Sequence, residues 1–468
     1  MINANFFKNR NKEFGLTKEV KNPIKIILTE KNSFSKVKSS MNKSILNWIS
    51  FNSFSPSIGS VLCVPDKNFK IKNIYAGIGK KFSLWDISRI IKKLPFGNFV
   101  IEGNENNIKK YAIAWSLESY EFNYFSNKKV NKSKKNLILT NKVLNATTPI
   151  LDGCYLARDL INLPPNILNP NTLEEIIVSL AKEHNAKLSI IKSKNLIKQY
   201  PLVHFVGRSS ENEPRVLDLK WGDSDKLPLI TLIGKGVTFD SGGLDLKSPQ
   251  GMELMKKDMG GAAVAIGLGH AIMSSNFNIN LRIILPIVEN AVSDKSMRPS
   301  DIIKSASGIN VEIGNTDAEG RLILADSLYH ATSSKKSNLI IDFATLTGAA
   351  RIALGTELPA IFSNNKSISK KIIEIGKNEE DPLWELPLYE QYDSYLDLEN
   401  GQLSNIGSSS YGGAITAALF LSRFVQNKNN WVHIDLMGWN LISKPGRPKG
   451  GEAMTLRSIY EFILKEYS

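Results

Sequence analysis

The sequence predicts an α/β protein of two domains: a smaller N-terminal α/β domain and a larger C-terminal domain with a mainly parallel sheet that helices cover. Continuous apolar segments ending in glycines, such as LPLITLIGKG, alternate with segments of helical periodicity. This alternation is typical of buried parallel strands followed by helices. The chain also has 468 residues, which is more than one ordinary hydrophobic core accommodates.

Short apolar segments bounded by turn residues indicate strands in the N-terminal part, among them IKIILTE, SVLCVPD and GNFVIEG. The segment SLWDISRIIKKL has helical spacing, and a longer helical segment ends at Pro164 and Pro165. We therefore expect an N-terminal α/β domain over residues 1–140, a connecting helix over 141–165 and the larger domain over 166–468.

The larger domain begins with a predicted helix, NTLEEIIVSLAKEHN, for which Asn171 or Thr172 is the expected N-cap. Strands are predicted in LRIILPIVEN, NLIIDFATLTG and WVHIDLMGWN. Two further strands lead directly into charged loops: LITLI into GKGVTFDSGGLDLK, and INVEIG into NTDAEGR. Ligands bind at the carboxyl ends of strands in such sheets. We therefore expect both loops to lie at the same edge of one sheet.

Composition excludes several classes of protein. Two cysteines without a CxxC pair exclude a disulfide framework and favour a reducing compartment. The N-terminus lacks the apolar core of a signal peptide, and no apolar segment is long enough to span a bilayer, so we expect a cytoplasmic protein. The net charge of +14 makes nucleic acid a possible partner. The lysines are dispersed, however, so nucleic-acid binding is not expected to be the main role.

Ionisable residues are concentrated in the two charged loops and in the MELMKKDMGG turn. They are Lys235, Asp240, Asp245, Lys247, Asp258, Asp317, Glu319 and Arg321. Carboxylates buried together resist ionising unless cations neutralise them, and two divalent metal ions would also activate a water molecule. The five histidines show no HExxH spacing and are expected to be core or surface residues. Phosphate-loop and GxSxG motifs are absent. The residues alone therefore favour a dinuclear-metal hydrolase and leave magnesium, manganese and zinc open.

Four motifs, in order, resemble the leucyl aminopeptidase family, the cytosolic dizinc aminopeptidases. They are GKGVTFDSGGLDLK, MKKDMGGAA, NTDAEGRLILAD and DFATLTGA, and the late GRPKGGEAMTLRSIY continues the resemblance. The resemblance covers roughly residues 150–468. It implies an exopeptidase that releases single N-terminal residues, with leucine-like residues preferred, by a hydroxide activated between two metal ions.

The same resemblance implies a ligand set for two ions, with zinc or manganese expected. One ion would be held by Lys235, Asp240, Asp258 and Glu319, and a more exchangeable one by Asp240, Asp317 and Glu319. Asp317 and Glu319 would point to the same side of an extended chain. The helix would begin near Arg321, and Gly320 would let the backbone turn.

Two residues would act in catalysis by resemblance. Lys247 would stabilise the oxyanion that develops on the scissile carbonyl. Arg321 would hold a bicarbonate ion as general base, since a guanidinium binds a planar oxyanion in a bidentate manner. A structural salt bridge is the alternative for Arg321. Asp245 is expected to be a surface or structural acid.

The resemblance also implies which residues contact the substrate. Met255 and the ATLTG stretch, represented by Thr345, Leu346 and Gly348, would line the pocket for the first residue and hold the peptide backbone. Asn315 is grouped with them as a support for the turn.

Other interpretations remain open. One is a DNA-binding or scaffold protein on the same fold. Another is a hydrolase of dipeptide-like amides such as cysteinyl-glycine. The resemblance further implies a homohexamer.

Overall fold

The computed structural model describes residues 13–80, 82–102, 107–125, 134–333, 337–426 and 429–468. These residues form two compact units. The smaller unit extends to Leu151 and includes Ile442–Lys449, and the larger unit comprises Asp152–Leu441 and Gly450–Ser468. The predicted class, a smaller N-terminal α/β domain and a larger domain with a mostly parallel sheet, is confirmed.

The smaller unit contains a mostly parallel sheet with the strand order β1-β6-β5-β2-β4-β3, in which only the β3–β4 pair is antiparallel among the described residues. The strands are β1 Leu16–Thr17, β2 Ile24–Glu30, β3 Val61–Pro65, β4 Ile71–Ile78, β5 Gly97–Glu102 and β6 Lys135–Ile138. The helices are α1 Phe34–Ser39, α2 Lys43–Phe51, α3 Leu84–Lys93, α4 Ile108–Ser119 and the first part of α5 Asn141–Asn162.

Helix α3 illustrates how the local sequence forms these elements. The Ser83 hydroxyl caps it by accepting a hydrogen bond from the Trp85 amide at 3.3 Å. Leu84, Ile87 and Ile91 are buried at helical spacing. This apolar face provides the part of the unit's core on that side.

The larger unit contains a long mixed sheet with the strand order β16-β15-β18-β14-β9-β11-β8-β7, and β10 pairs with β11. Its central pairs, β18–β14, β14–β9 and β9–β11, are parallel. Strands β12, β13 and β17 form a separate small sheet, and β19 pairs with β20. The strands of the larger unit are β7 Lys187–Ile191, β8 Arg215–Trp221, β9 Leu229–Gly234, β10 Gly236–Asp240, β11 Asn280–Asn290, β12 Ile302–Lys304, β13 Asn310–Glu312, β14 Leu339–Ala344, β15 Ala360–Ser363, β16 Trp384–Glu385, β17 Leu403–Ser404, β18 Trp431–Asp435, β19 Trp439–Asn440 and β20 Gly450–Gly451.

Helices cover this sheet. They are α6 Pro170–Glu183, α7 Ser193–Gln199, α8 Pro201–Gly207, α9 Pro249–Met252, α10 Gly260–Ser274, α11 Glu319–Ser333, α12 Gly348–Leu354, α13 Lys366–Asn378, α14 Gly413–Ser422 and α15 Leu456–Tyr467, with 3-10 helices at Met255–Met259 and Glu390–Leu396. Every residue of β14 and β18 is buried, as expected for central strands covered on both faces.

Two sequence expectations are wrong in the larger unit. The N-cap of α6 is Asn169, whose side chain accepts from the Asn171 and Thr172 amides, and Pro170 occupies the first turn. The strand before NTDAEGR, β13, pairs with β12 and β17 in a separate small sheet. The two charged loops therefore come from different sheets, because local sequence indicates a strand but not its pairing partner.

Glycines allow α10 to lie directly against the ends of β9 and β14. A Cβ on Gly261 would lie 2.1 Å from the Phe343 carbonyl oxygen, and one on Gly234 would lie 2.5 Å from the Ala262 Cα. The Ala262 amide donates to the Lys235 carbonyl, and the Lys235 amide donates to the Phe343 carbonyl, both at 2.9 Å. This close approach places Lys235, the residue after β9, beside the 3-10 helix that precedes α10.

In the part of the chain that the structure describes, no helix is both long enough and apolar enough to cross a bilayer.

We expect Gly261→Ala to lower the free energy of unfolding by about 3 kcal/mol, because the new methyl group overlaps a strand carbonyl that cannot move independently of its sheet. The thermal midpoint measures this loss. Gly348→Ala is the matched control, since a Cβ at Gly348 meets no atom within 4 Å. An unchanged midpoint in Gly261→Ala would show that the helix does not need this close approach.

Candidate metal centre

Four carboxylates from separate elements converge in the larger unit. Asp240 is the last residue of β10, Asp258 lies in the 3-10 helix before α10, Asp317 lies in the turn before α11, and Glu319 is the first residue of α11. One carboxylate oxygen each from Asp240, Asp317 and Glu319 lies within 4.8 Å of the others. Such a group has the spacing of ligands around a metal ion.

Lys235 lies between two of these carboxylates. Its Nζ is 2.7 Å from Asp258 Oδ2 and 2.8 Å from Glu319 Oε1, and all three side chains are at most 3% exposed. Nζ also donates to the Thr345 carbonyl at 3.3 Å. Burial opposes the charge on Lys235, but Asp258, Glu319 and Asp240 outweigh it and raise the pKa.

Lys247 lies at the more open side of the cluster. Its Nζ is 2.9 Å from Asp240 Oδ2 and donates to Asp317 Oδ1. Lys247 is 14% exposed and Asp317 is 33% exposed, so solvent reaches this side. Burial opposes the charge of Lys247, but Asp240 and Asp317 outweigh it and raise its pKa.

The two lysines that ion-pair with the cluster do not balance its four carboxylates. Two further buried cations lie nearby: Lys257 acts on Asp258, and Arg321 acts on Glu319. Burial, followed by the negative charge of Asp240, raises the pKa of Glu319 to about 8 and that of Asp317 to about 6. Among the described residues, Asp258 Oδ2 and both Glu319 carboxylate oxygens are buried and have no donor in hydrogen-bond geometry, although Lys235 lies within ion-pair distance. Buried oxygens without donors and carboxylates whose pKa is raised by burial and mutual repulsion fit the binding of cations.

The local backbone differs from the sequence expectation. Asp317 lies in a turn, and α11 begins at Glu319, two residues before Arg321. The two carboxylates therefore converge through a turn into a helix, not along an extended chain. Gly320 is helical and does not make the turn. A Cβ there would lie 2.7 Å from both Cε and Nζ of Lys235, so glycine at this position provides room for the lysine.

Arg321 lies in the first turn of α11 and is 9% exposed. Its Nη1 donates to the Asn405 carbonyl at 2.8 Å. Its Nε is buried without a hydrogen-bond partner in the described part of the chain, and no described carboxylate lies within ion-pair distance. Burial lowers the pKa of Arg321 to about 10, which still leaves a cation at neutral pH. The salt bridge that the sequence left open is not observed, and the geometry fits an external anion.

The residues expected to contact substrate are distributed around the cluster. Met255 is the first residue of the 3-10 helix that carries Asp258 and is half-buried. Asn315 accepts from the Asp317 amide at 2.6 Å and so shapes the turn. The Leu346 amide donates to Asp435 at 3.0 Å.

The remaining two residues of the ATLTG stretch differ in accessibility. Thr345 is buried, and its hydroxyl donates to Asp258 Oδ1 at 2.7 Å. Gly348 is exposed at the start of α12. The side chain of Thr345 therefore orients a carboxylate of the cluster, which the sequence did not suggest.

Sequence reasoning missed three supporting residues. Asn290 Nδ2 donates to Asp240 Oδ1 at 2.9 Å and to the Thr316 carbonyl at 3.2 Å, which links the two charged loops. Asn405 Nδ2 donates to the Asn315 carbonyl at 2.8 Å. Asp435 accepts from the amides of the ATLTG stretch. The one signal in the sequence was position, because Asn290 ends the predicted strand LRIILPIVEN and Asp435 lies within the predicted strand WVHIDLMGWN.

Asp245 joins the same two loops. Its Oδ2 accepts from the Thr316 amide at 2.7 Å, and its own amide donates to the Thr316 hydroxyl at 2.8 Å. It is an exposed residue with a structural role, as expected from the sequence.

Comparison with known proteins identifies the family. Residues 155–460 match the model of the cytosol aminopeptidase family, catalytic domain. Residues 23–140 match the M17 aminopeptidase N-terminal domain. The chain belongs to the cytosol aminopeptidase family. It is therefore a peptidase, and the family resemblance stated from the sequence is confirmed.

Individual relatives agree with this assignment. A probable cytosol aminopeptidase of Azotobacter vinelandii is 38% identical over 388 residues, which cover 79% of this chain and 77% of that protein. One of Clostridium perfringens is 36% identical over 397 residues, with 80% of each chain covered. The crystal structure of the cytosol aminopeptidase of Coxiella burnetii is 40% identical and superimposes with a TM-score of 0.92 over 97% of this chain and 99% of that one.

We expect Gly320→Ala to destabilise this aminopeptidase by about 1 kcal/mol, although alanine favours a helix over glycine by about that amount. The new methyl group would displace Lys235 from its two ion pairs. Thermal midpoints measure the change. In the Lys235→Ala background the clash is removed, so Gly320→Ala should no longer destabilise the protein. An equal loss in both backgrounds would contradict this explanation.

Proposed function

We propose that this family member is a metallo-aminopeptidase that binds two divalent ions, zinc or manganese, and releases single N-terminal residues, with leucine-like residues preferred. The observation that carries the proposal is the cluster, buried except at Asp317, in which four carboxylates ion-pair with two lysines. Its donors are carboxylate oxygens and one amine, which suit these ions.

Five residues would hold the ions. Lys235, Asp240, Asp258 and Glu319 would form one site, and Asp240, Asp317 and Glu319 the other. The three oxygens of Asp258 and Glu319 that lack donors support this set. Lys235 would have to give up its proton to serve as a ligand, since only the neutral amine has a lone pair. When bound, the ions would acidify a water molecule and polarise the scissile carbonyl.

Lys247 would stabilise the negative charge that develops on the carbonyl oxygen. Its raised pKa keeps it a cation at neutral pH, and it lies on the solvent-accessible side of the cluster. Arg321 would bind bicarbonate, for which its unpartnered buried Nε provides a donor. Bicarbonate, when bound, would supply a general base. In the hydrolysis the peptide C–N bond breaks, the oxygen of water joins the carbonyl carbon, and a proton passes to the leaving amine.

The peptide would lie along the ATLTG stretch beside Met255. The Leu346 and Thr347 amides already donate to Asp435, and the Thr345 carbonyl already accepts from Lys235. Because these groups already have hydrogen-bond partners, we propose the neighbouring Leu346 carbonyl as the main-chain group that holds the peptide backbone. Asn315 would act by shaping the turn, and exposed Gly348 would leave the pocket open.

We also propose that the protein is cytoplasmic and assembles as a homohexamer. The relatives named cytosol aminopeptidase support the location. Light scattering after size exclusion measures the assembly, and a mass six times that of one chain is expected.

The dipeptide-like amide alternative would use the same chemistry. The DNA-binding alternative would not require the buried cluster. DNA binding would be favoured if duplex binding were steeply salt-dependent and persisted in a catalytically inactive variant.

The function is tested with a panel of p-nitroanilides that differ in the N-terminal residue, together with N-acetyl-leucine p-nitroanilide. Activity should be highest on leucine-like residues, disappear on the acetylated substrate, be lost on chelation, and return when zinc or manganese is added. Activity that survives complete metal removal would overturn the proposal.

Lys247→Ala and Arg321→Ala should each lower kcat by about 100-fold or more while the metal content stays unchanged, because each removes stabilisation of the reaction rather than a ligand. Exposed Lys226→Ala is the control. Normal kcat in Lys247→Ala would refute the assigned role.

Asp317→Asn should lower the metal content from about two ions per chain to about one, since a neutral amide is a weaker ligand than a carboxylate. Elemental analysis after equilibrium dialysis measures the content. Asp245→Asn is the matched control, because Asp245 lies in the adjacent loop and hydrogen-bonds, in the described part of the chain, to the Thr316 backbone and hydroxyl. If Asp317→Asn retained its full metal content, the ligand set would be wrong.

A further inference from the structure

Two of the five histidines form a hydrogen-bonded chain outside the carboxylate cluster. His184 follows α6 as its C-cap, and His270 lies in α10. His184 Nε2 is 2.9 Å from His270 Nδ1, and His270 Nε2 is 3.0 Å from Asp152 Oδ2 in α5. The chain therefore joins three helices of the larger unit.

Asp152 fixes the orientation of His270. An ionised carboxylate only accepts hydrogen bonds, so His270 Nε2 must carry the proton that Asp152 receives. With His270 neutral, its Nδ1 has a lone pair directed toward His184. A ligand histidine typically donates its other ring N–H to a carboxylate, and that contact orients the lone pair toward a metal.

A third potential ligand lies at the same place. Glu183, the last residue of α6, has a carboxylate oxygen within 4.8 Å of ligand nitrogens of His184 and His270. Glu183 is exposed, His184 is half-buried and His270 is buried, so the group extends from the protein interior at His270 to the surface at Glu183. It also lies at the carboxyl end of α6, where the helix dipole favours a cation.

We propose that Glu183, His184 and His270 form a zinc site separate from the carboxylate cluster, with Asp152 holding His270 in position. Two imidazoles, one carboxylate and a water molecule are a typical tetrahedral zinc set. The dication is neutralised by the two carboxylates, Glu183 and Asp152. The bound ion would connect α6 to α10 and, through Asp152, to α5.

Zinc binding requires the His184 ring to change its position and its tautomer. Zinc–nitrogen bonds of about 2.0–2.1 Å at a tetrahedral angle place two ligand nitrogens about 3.4 Å apart. The two nitrogens lie 2.9 Å apart, as in a hydrogen bond. His184 follows the last turn of a helix and is half-buried, so we expect its ring to turn as well as withdraw until both lone pairs point at the ion, with the His184 proton on Nδ1 instead of Nε2.

Equilibrium dialysis against buffered zinc, followed by elemental analysis, tests the site. The wild-type chain should bind one more zinc ion than His184→Gln, in which the amide can still donate to His270 but is a poor ligand. His204→Gln, at another half-buried histidine, is the matched control and should bind zinc like the wild type. Ions in the carboxylate cluster cancel in the difference, so failure of the proposed function would not affect the result. Aminopeptidase activity should be unchanged in His184→Gln.

Glu183→Gln provides a second measurement that does not touch the buried chain. Its zinc affinity at this site should fall about 10-fold or more, and zinc should raise its thermal midpoint less than that of the wild type. Equal zinc content in wild type and His184→Gln would overturn the proposal and leave a hydrogen-bonded histidine pair only. So would equal zinc affinity in wild type and Glu183→Gln.

Discussion

The contact of Lys235 with Asp258 and Glu319 is the interaction on which the site depends. Three buried carboxylates and the partly exposed Asp317 could not all ionise so close together without cations, because each raises the free energy of ionising the others. Lys235 enters from the end of β9 at the bottom of the cluster, and Lys247 enters from the solvent side. The two cations reduce the repulsion without removing it. The carboxylate oxygens of Asp258 and Glu319 that are left without hydrogen-bond donors among the described residues are what makes the cluster suited to divalent ions.

The backbone is arranged around this contact. Gly234 and Gly261 let α10 approach β9 and β14, and Gly320 leaves space for the lysine side chain. Each glycine acts through the absence of a side chain rather than through an unusual dihedral angle. Close packing of main chain thus brings the end of one strand, a 3-10 helix and the first turn of α11 to one point. A methyl group at Gly234 or Gly261 would move one of these elements, and one at Gly320 would displace the Lys235 side chain.

The supporting residues show why the site holds its shape despite its charge. Asn290 joins the loop after β10 to the turn before α11, and Thr345 orients Asp258. Neutral donors of this kind satisfy carboxylate oxygens without adding positive charge, and they leave the other oxygens available. Buried polar atoms are normally hydrogen-bonded, but the carboxylate oxygens of Asp258 and Glu319 that have no donors in the described part of the chain break this rule. Such violations concentrate at functional sites.

The sequence by itself determined the fold class, most strands and helices, and the set of ionisable residues, because periodicity and residue type are local properties. It also predicted, through family motifs, an aminopeptidase. Tertiary structure alone decided that NTDAEGR follows a separate small sheet, that Gly320 makes room for Lys235, and that Asn290 and Thr345 orient carboxylates. These are contacts between residues distant in sequence, and their geometry depends on how the elements pack. The hydrogen-bonded pair of His184 and His270 could not be predicted from the sequence for the same reason, since no spacing rule relates residues on two different helices.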